Sequence, residues 1–310
     1  MSLRGNEFDV SKQINTTDPH AVNEEVDRIY RHLYQGASTE LLDQAFRDVD
    51  LLYRGQFPGY RACDTEYHDT QHVMDVTLAM ARLIDGYERG RIGVQPIDSS
   101  LFQLGVVTAL FHDCGYVRET TDDKHKNGAE MTLTHVSRGA RFLRDYLPKI
   151  GMGHNADLAA KLIHFTGYEM SVTAIDVSSP VHRLLGNMLG SADIIAQMAD
   201  RCYLEKCRDR LYPEFVAGGL ARKRTADGDE QIVYSSGIDL VKKTPDFFDV
   251  AKRRLNVDLD ASHEFAKKHF GGDNLYLDEV EKNVRFAETI RKQGEDLAPL
   301  NRTPPKPLKT

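Results

Sequence analysis

Eight of the twelve histidines lie between His68 and His182, and their neighbours decide what chemistry they could do. His68 and His72 are four apart in Tyr67-His-Asp-Thr-Gln-His-Val-Met-Asp75. On a helix that spacing puts both imidazoles on one face. His112-Asp113 closes the apolar run Leu101–Phe111, where burial is expected. A buried carboxylate is costly unless it is paired or bound to a metal. The bland alternative is that Asp113 caps the next turn through Cys114-Gly115. His135 falls in an amphipathic stretch, and His164 ends the apolar stripe of 158–164. Asp193 is an acid inside the small-residue, apolar segment Leu189-Gly-Ser-Ala-Asp-Ile-Ile-Ala. Taken singly, each has a bland reading, since a lone histidine on an apolar face usually bonds a carbonyl and a lone aspartate can be a buried cap. Taken together, they place six metal-compatible side chains on different helices.

Their charge balance points to a chemistry. Neutral His72, His112, His135 and His164 with ionised Asp113 and Asp193 carry −2, and two divalent cations would bring +4. The excess suits a hydroxide and an anionic phosphate, the arrangement of two-metal phosphoryl hydrolysis. Mixed nitrogen and oxygen ligands favour Mn, Fe, Co, Ni or Zn over Mg alone.

The elements that must position these residues read as helices. Apolar residues recur three or four apart over 21–34, 39–52, 67–88, 99–112, 129–146, 156–165, 180–200 and 201–215. The pattern resumes over 246–255, 261–270 and 275–292. Gly186 and Gly190 beside Asp193 would let a neighbouring helix approach closely. The polar stretch 222–236 reads as a loop or a β-hairpin turning at Asp227-Gly228. The fold class expected is all-α. A polar tail over 1–20 precedes one helical domain over 21–293, with the metal core at about 67–200, and a Pro-containing tail follows from 294.

Composition narrows the function classes. The 310 residues carry 41% apolar and 28% charged side chains, ordinary for a globular protein. A net charge of −7 argues against a nucleic-acid polymer or an anionic membrane as partner. No apolar run is long enough for a membrane span. The four cysteines form no Cys-x-x-Cys pair, which reads as reduced thiols in a cytoplasmic protein. A homo-oligomer is compatible with the sequence.

The order His72, His112-Asp113, Asp193 resembles the HD-domain superfamily of metal-dependent phosphohydrolases, over about Tyr67 to Asp200. Tyr67-His68-x-x-x-His72-x-x-Asp75-Val76 resembles the opening signature of the class I cyclic-nucleotide phosphodiesterases. There the first histidine is a general acid and the second a metal ligand. The later succession His112-Asp113, His135, His164, Asp193 looks more like the two-metal HD-GYP phosphodiesterases. The chain departs from both. Ile163-His164-Phe165 stands where a double histidine is usual, no proline follows Gly167-Tyr168, and no purine-gripping glutamine can be placed after Asp193.

The resemblance implies a compact HD-type helical bundle that binds two divalent metal ions (Mn, Fe, Zn, Co, Ni or Mg) and a small phosphorylated substrate, a cyclic or other nucleotide. His72, His112, Asp113 and Asp193 would hold one ion, and His135 and His164, bridged by Asp113, the second. Asp113 and His68 are the candidate catalytic residues, His68 protonating the leaving oxygen. Arg118, Lys124, His125, Lys126 and Arg138 are the candidate phosphate contacts, each equally readable as a solvated face. The competing readings are a nucleotide phosphomonohydrolase, an HD-type di-iron oxygenase and a non-catalytic nucleotide sensor.

Overall fold

The computed structural model describes residues 4–177, 179–224, 229–293 and 300–307. Helices carry the fold: α1 (Pro19–Leu33), α2 (Glu40–Tyr53), α3 (Thr70–Gly90), α4 (Ser99–Leu110), α5 (His135–Tyr146), α6 (Ala156–Leu162), α7 (Pro180–Ala199), α8 (Tyr203–Lys206), α9 (Tyr212–Ala217), α10 (Gly237–Arg253), α11 (Ala266–Phe270) and α12 (Leu275–Gln293). Strands Arg222–Arg224 and Glu230–Ile232 pair antiparallel. The expected turn at Asp227-Gly228 lies outside the described residues.

The axis of the bundle is α3, which is buried along most of its length and packs against α1, α4, α7 and α11. Helix α4 is buried all round from Leu104 to Leu110, where its sequence is apolar apart from Thr108. It starts where Asp98 accepts a hydrogen bond from Leu101 N–H at 2.9 Å. Helix α7 has Pro180 in its first turn, where a missing N–H costs nothing.

Several boundaries differ from those expected. Asp69 is the N-cap of α3 and accepts from His72 N–H at 3.0 Å, so the helix starts after His68. The stretch expected as one helix over 129–146 is a 3-10 turn (Gly128–Met131) followed by α5, whose first residue is His135. Helix α10 begins at Ser236, its cap, and runs through Pro245 instead of starting after it. Residues 4–18, expected as a polar tail, fold onto the bundle, where Asp9 pairs with fully buried Arg82 at 2.6 Å. At the other end Leu300 is buried and Arg210 donates to Pro305 O. Residues 294–299 of the expected C-terminal tail lie outside the described part of the chain.

Gly186 and Gly190 do provide a close approach, although the neighbour is the 3-10 turn after α6 and not a helix. A Cβ on Gly190 would lie 2.4 Å from Phe165 O, a backbone atom with little room to yield. Gly190→Ala should therefore cost about 1–3 kcal/mol as an overpacking substitution. Urea unfolding followed by circular dichroism checks this, and an unchanged midpoint would contradict the packing described.

Candidate metal centre and active site

Four side chains from three parts of the fold meet beneath one cavity. His72 comes from the first turn of α3, and Asp193 from the middle of α7. His112 and Asp113 follow the end of α4, in the tight turn that leads into the 3-10 segment Cys114–Tyr116. His72 Nε2 lies 3.2 Å from Asp113 Oδ2 and 3.5 Å from Asp193 Oδ1. His112 Nε2 lies 3.1 Å from Asp113 Oδ2 and 3.8 Å from Asp193 Oδ1. The two imidazole nitrogens are 3.3 Å apart. Donor atoms around a shared ion with bonds of about 2.1 Å sit roughly 3.0–3.4 Å from one another.

The protonation pattern fits a cation. His112 Nδ1 lies 2.7 Å from Ala109 O, so in the neutral ring the proton sits on Nδ1 and Nε2 presents a lone pair. That lone pair faces His72 Nε2 and two carboxylates. Asp113 Oδ2 is buried with no hydrogen-bond donor. Burial would push the pKa of His72 down, yet the carboxylates of Asp113 and Asp193 hold it up at about 10. Burial would raise Asp113, and the His112 imidazole instead holds it well below the ordinary carboxylate range. Burial would lower the pKa of His112 too, and Asp113 and Asp193 raise it instead, so the site calls for positive charge between the imidazoles. A divalent cation meets that demand, and the donor set suits one.

The turn that carries Asp113 is fixed from behind. A Cβ on Gly115 would lie 1.9 Å from His135 O, so only glycine lets the turn meet the start of α5. Arg138 donates to Gly115 O at 2.8 Å and to Val117 O at 3.2 Å.

His68 precedes the helix but still lines the cavity. Its ring stacks on Tyr116 with centroids 4.2 Å apart and lies 5.9 Å from the His72 ring. Its Nδ1 is 2.6 Å from Glu214 Oε2, while Glu214 Oε1 accepts from Tyr67 N–H at 2.6 Å. The sequence reading missed Glu214, Tyr116 and Glu169. The available signal for Glu214 was an acid inside the apolar Tyr212–Val216 stretch, where it is buried.

The remaining sequence candidates divide. His135 has Nδ1 bound to Thr132 O at 2.6 Å and Nε2 3.7 Å from Asp113 Oδ1, on the opposite oxygen from the four-residue cluster. Burial lowers its pKa, which favours the neutral, ligating form. His164 pairs with Glu169 Oε1 at 2.7 Å, and it is Glu169 that lines the cavity. Arg118, Lys124, His125 and Arg138 do not line it. Arg118 is held by Asp64 Oδ2 at 2.7 Å and by His125 O at 2.7 Å, which ties down the loop. The His125 ring pairs with Asp122 at 3.0 Å, and the side chains of Lys124 and Lys126 are exposed. Local ion pairs and backbone carbonyls have taken up Arg118, His125 and Arg138, while Lys124 and Lys126 face solvent.

The cavity has a volume of about 420 Å³ and runs from the cluster toward α9 and α10. Among the described residues no helix is long and apolar enough to cross a membrane.

Asp113→Ala should remove bound metal, because it deletes the carboxylate that touches both imidazoles. His164→Ala should leave the ion of the four-residue cluster in place. Metal analysis of protein purified without chelator checks both, and a metal-replete Asp113→Ala protein would show that the ion sits elsewhere.

No protein-family model and no curated protein matches this chain. Among solved structures, the fold is similar to the phosphodiesterase domain of the RhoPDE fusion protein from the choanoflagellate Salpingoeca rosetta, with a TM-score of 0.51 and 12% identity over 94% of this chain and 96% of that one. At that identity the likeness shows a shared all-helical fold.

Proposed function

We propose that this chain is a metal-dependent phosphohydrolase acting on a phosphodiester. The observation that carries the reading is the orphaned Asp113 carboxylate, set between His72 and His112 and opposite Asp193, beside an oriented histidine at the head of a cavity. Likeness of fold to a phosphodiesterase domain adds support.

His72, His112, Asp113 and Asp193 would hold the first divalent ion, and Asp113 Oδ1 with His135 would contribute to a second. Such ions supply Lewis acidity toward a phosphoryl oxygen and lower the pKa of a water. The rest falls to the chain's own side chains. Glu214 accepts the Nδ1 proton of His68 and locks the ring, so that Nε2 is the atom free to deliver a proton to the departing oxygen. Tyr116 packs flat on that ring and on His135, with centroids 4.2 and 4.3 Å away, and prevents either from turning. The buried walls around the cluster keep bulk water from competing for the positive charge.

A sensor of the same fold has no use for a proton donor braced by a buried carboxylate. This pair therefore favours the enzyme over the non-catalytic reading.

His68→Ala should keep metal content and lower turnover of a poor-leaving-group diester by about 10²–10⁴-fold, the usual range for a lost general acid. The loss should shrink with p-nitrophenolate, which needs no proton on departure. Steady-state kinetics on matched diesters test this. Metal loss in His68→Ala would make His68 a ligand, and an unchanged rate would remove it from the mechanism. Glu214→Gln should reduce the same rate through its hold on His68, with a smaller effect on the p-nitrophenyl ester.

A further inference from the structure

The cavity beyond the metal cluster has a composition that speaks to the ligand. Its lining includes Leu133, Val136, Phe215, Leu220, Leu240 and Phe247. Two large side chains on its lining remain mostly exposed, Leu133 at 70% and Tyr168 at 55%, so the apolar character continues to solvent. An exposed apolar lining of this kind marks a place where an apolar group docks.

The hydroxyls of three lining threonines, the Gln197 carbonyl oxygen and the Lys243 ammonium are already engaged. Thr132 and Thr166 donate their hydroxyl protons to Ala129 O at 2.6 Å and Ile163 O at 2.8 Å. Thr244 does the same toward Leu240 O at 3.4 Å. Gln197 Oε1 accepts from Tyr67 Oη at 3.2 Å. Among the described lining residues Lys243 is the one lysine or arginine, and its ammonium is bound to Val233 O at 2.7 Å and Asp239 Oδ2 at 2.9 Å. Glu169, paired with His164, brings a further carboxylate to the lining. A second phosphate placed away from the metal cluster would meet no free cation, and desolvating it there would be costly.

We infer that the ligand of this site carries a single phosphoryl group, held at the His72–Asp113 end, and an apolar, uncharged organic group seated against Phe215, Leu240 and Phe247. This rests on the phosphohydrolase reading for the phosphoryl end only, since the apolar end is set by the walls. Polyphosphates and substrates with two phosphodiesters are disfavoured by the same argument.

The test uses the full chain loaded with Mn²⁺ and the series methyl-, propyl- and hexylphosphonate, measured by calorimetry. The probes keep one phosphoryl group and differ only in apolar length. Affinity should rise by about fourfold per methylene, the factor that corresponds to about 0.8 kcal/mol per buried methylene. Leu133→Ser, at an exposed position where folding is not at risk, and Phe247→Ser should both flatten the series. Equal affinities along the series, or tighter binding of pyrophosphate than of hexylphosphonate, would overturn the inference. Turnover of p-nitrophenyl methyl and hexyl phosphates is read in parallel. Graded phosphonate binding without turnover would support the apolar-ligand inference and overturn the phosphohydrolase reading. Turnover with a flat series would do the reverse.

Discussion

The structure is organised around one electrostatic demand, two carboxylates brought beneath a cavity with two imidazole Nε2 atoms turned toward them. Asp113 is buried, and one of its oxygens has no donor. Leaving such a charge uncompensated in a protein interior costs about 3–5 kcal/mol. The chain meets part of that cost by holding His72 protonatable, with its pKa up at about 10 between the carboxylates. A divalent cation meets it fully and releases His72 to act as a neutral ligand. Metal binding at this cluster would therefore be coupled to folding, since the apolar surroundings that raise the cost of the uncompensated charge would also strengthen its hold on a cation.

The backbone arrangement serves this centre. Asp69 starts α3 so that His72 falls in its first turn, with N–H bound to the cap. The end of α4 delivers His112 and Asp113 together, and Gly115 allows the turn to press against His135 O. Gly190 lets α7 come close to Phe165 O and so sets the depth of Asp193, which lies on the next turn of that helix. One helix cap and two close glycine approaches thus converge on a space the size of one ion. The π-helical turn Cys207–Leu211 contributes to the cavity wall, consistent with the tendency of such turns to occur at functional sites.

The all-helical fold was legible from apolar periodicity, because α3, α4 and α7 are buried along faces that the sequence displays openly. The four-residue cluster was legible for a related reason. His112-Asp113 and Asp193 are polar residues in apolar stretches, where only a specific partner offsets burial. What could not be read were outcomes of competition between partners. Asp69 captured the helix start and left His68 outside it, although the ring still reaches the cavity. Arg118 and Arg138 looked like phosphate contacts, but Asp64 and the carbonyls of Gly115 and Val117 claim them. Glu214 lies 146 positions from His68, and no local pattern announces a contact at that separation. His164 was grouped with the metal ligands as the polar end of an apolar stripe, and the pairing of its Nδ1 with Glu169 was not announced by the sequence.

The measurement that bears most directly on the account is anomalous diffraction from crystals grown with Mn²⁺ and collected on both sides of the manganese absorption edge. The account predicts an edge-dependent peak among His72 Nε2, His112 Nε2, Asp113 and Asp193. Full occupancy at another position, or no peak between the two imidazoles in crystals that contain the metal, would contradict it.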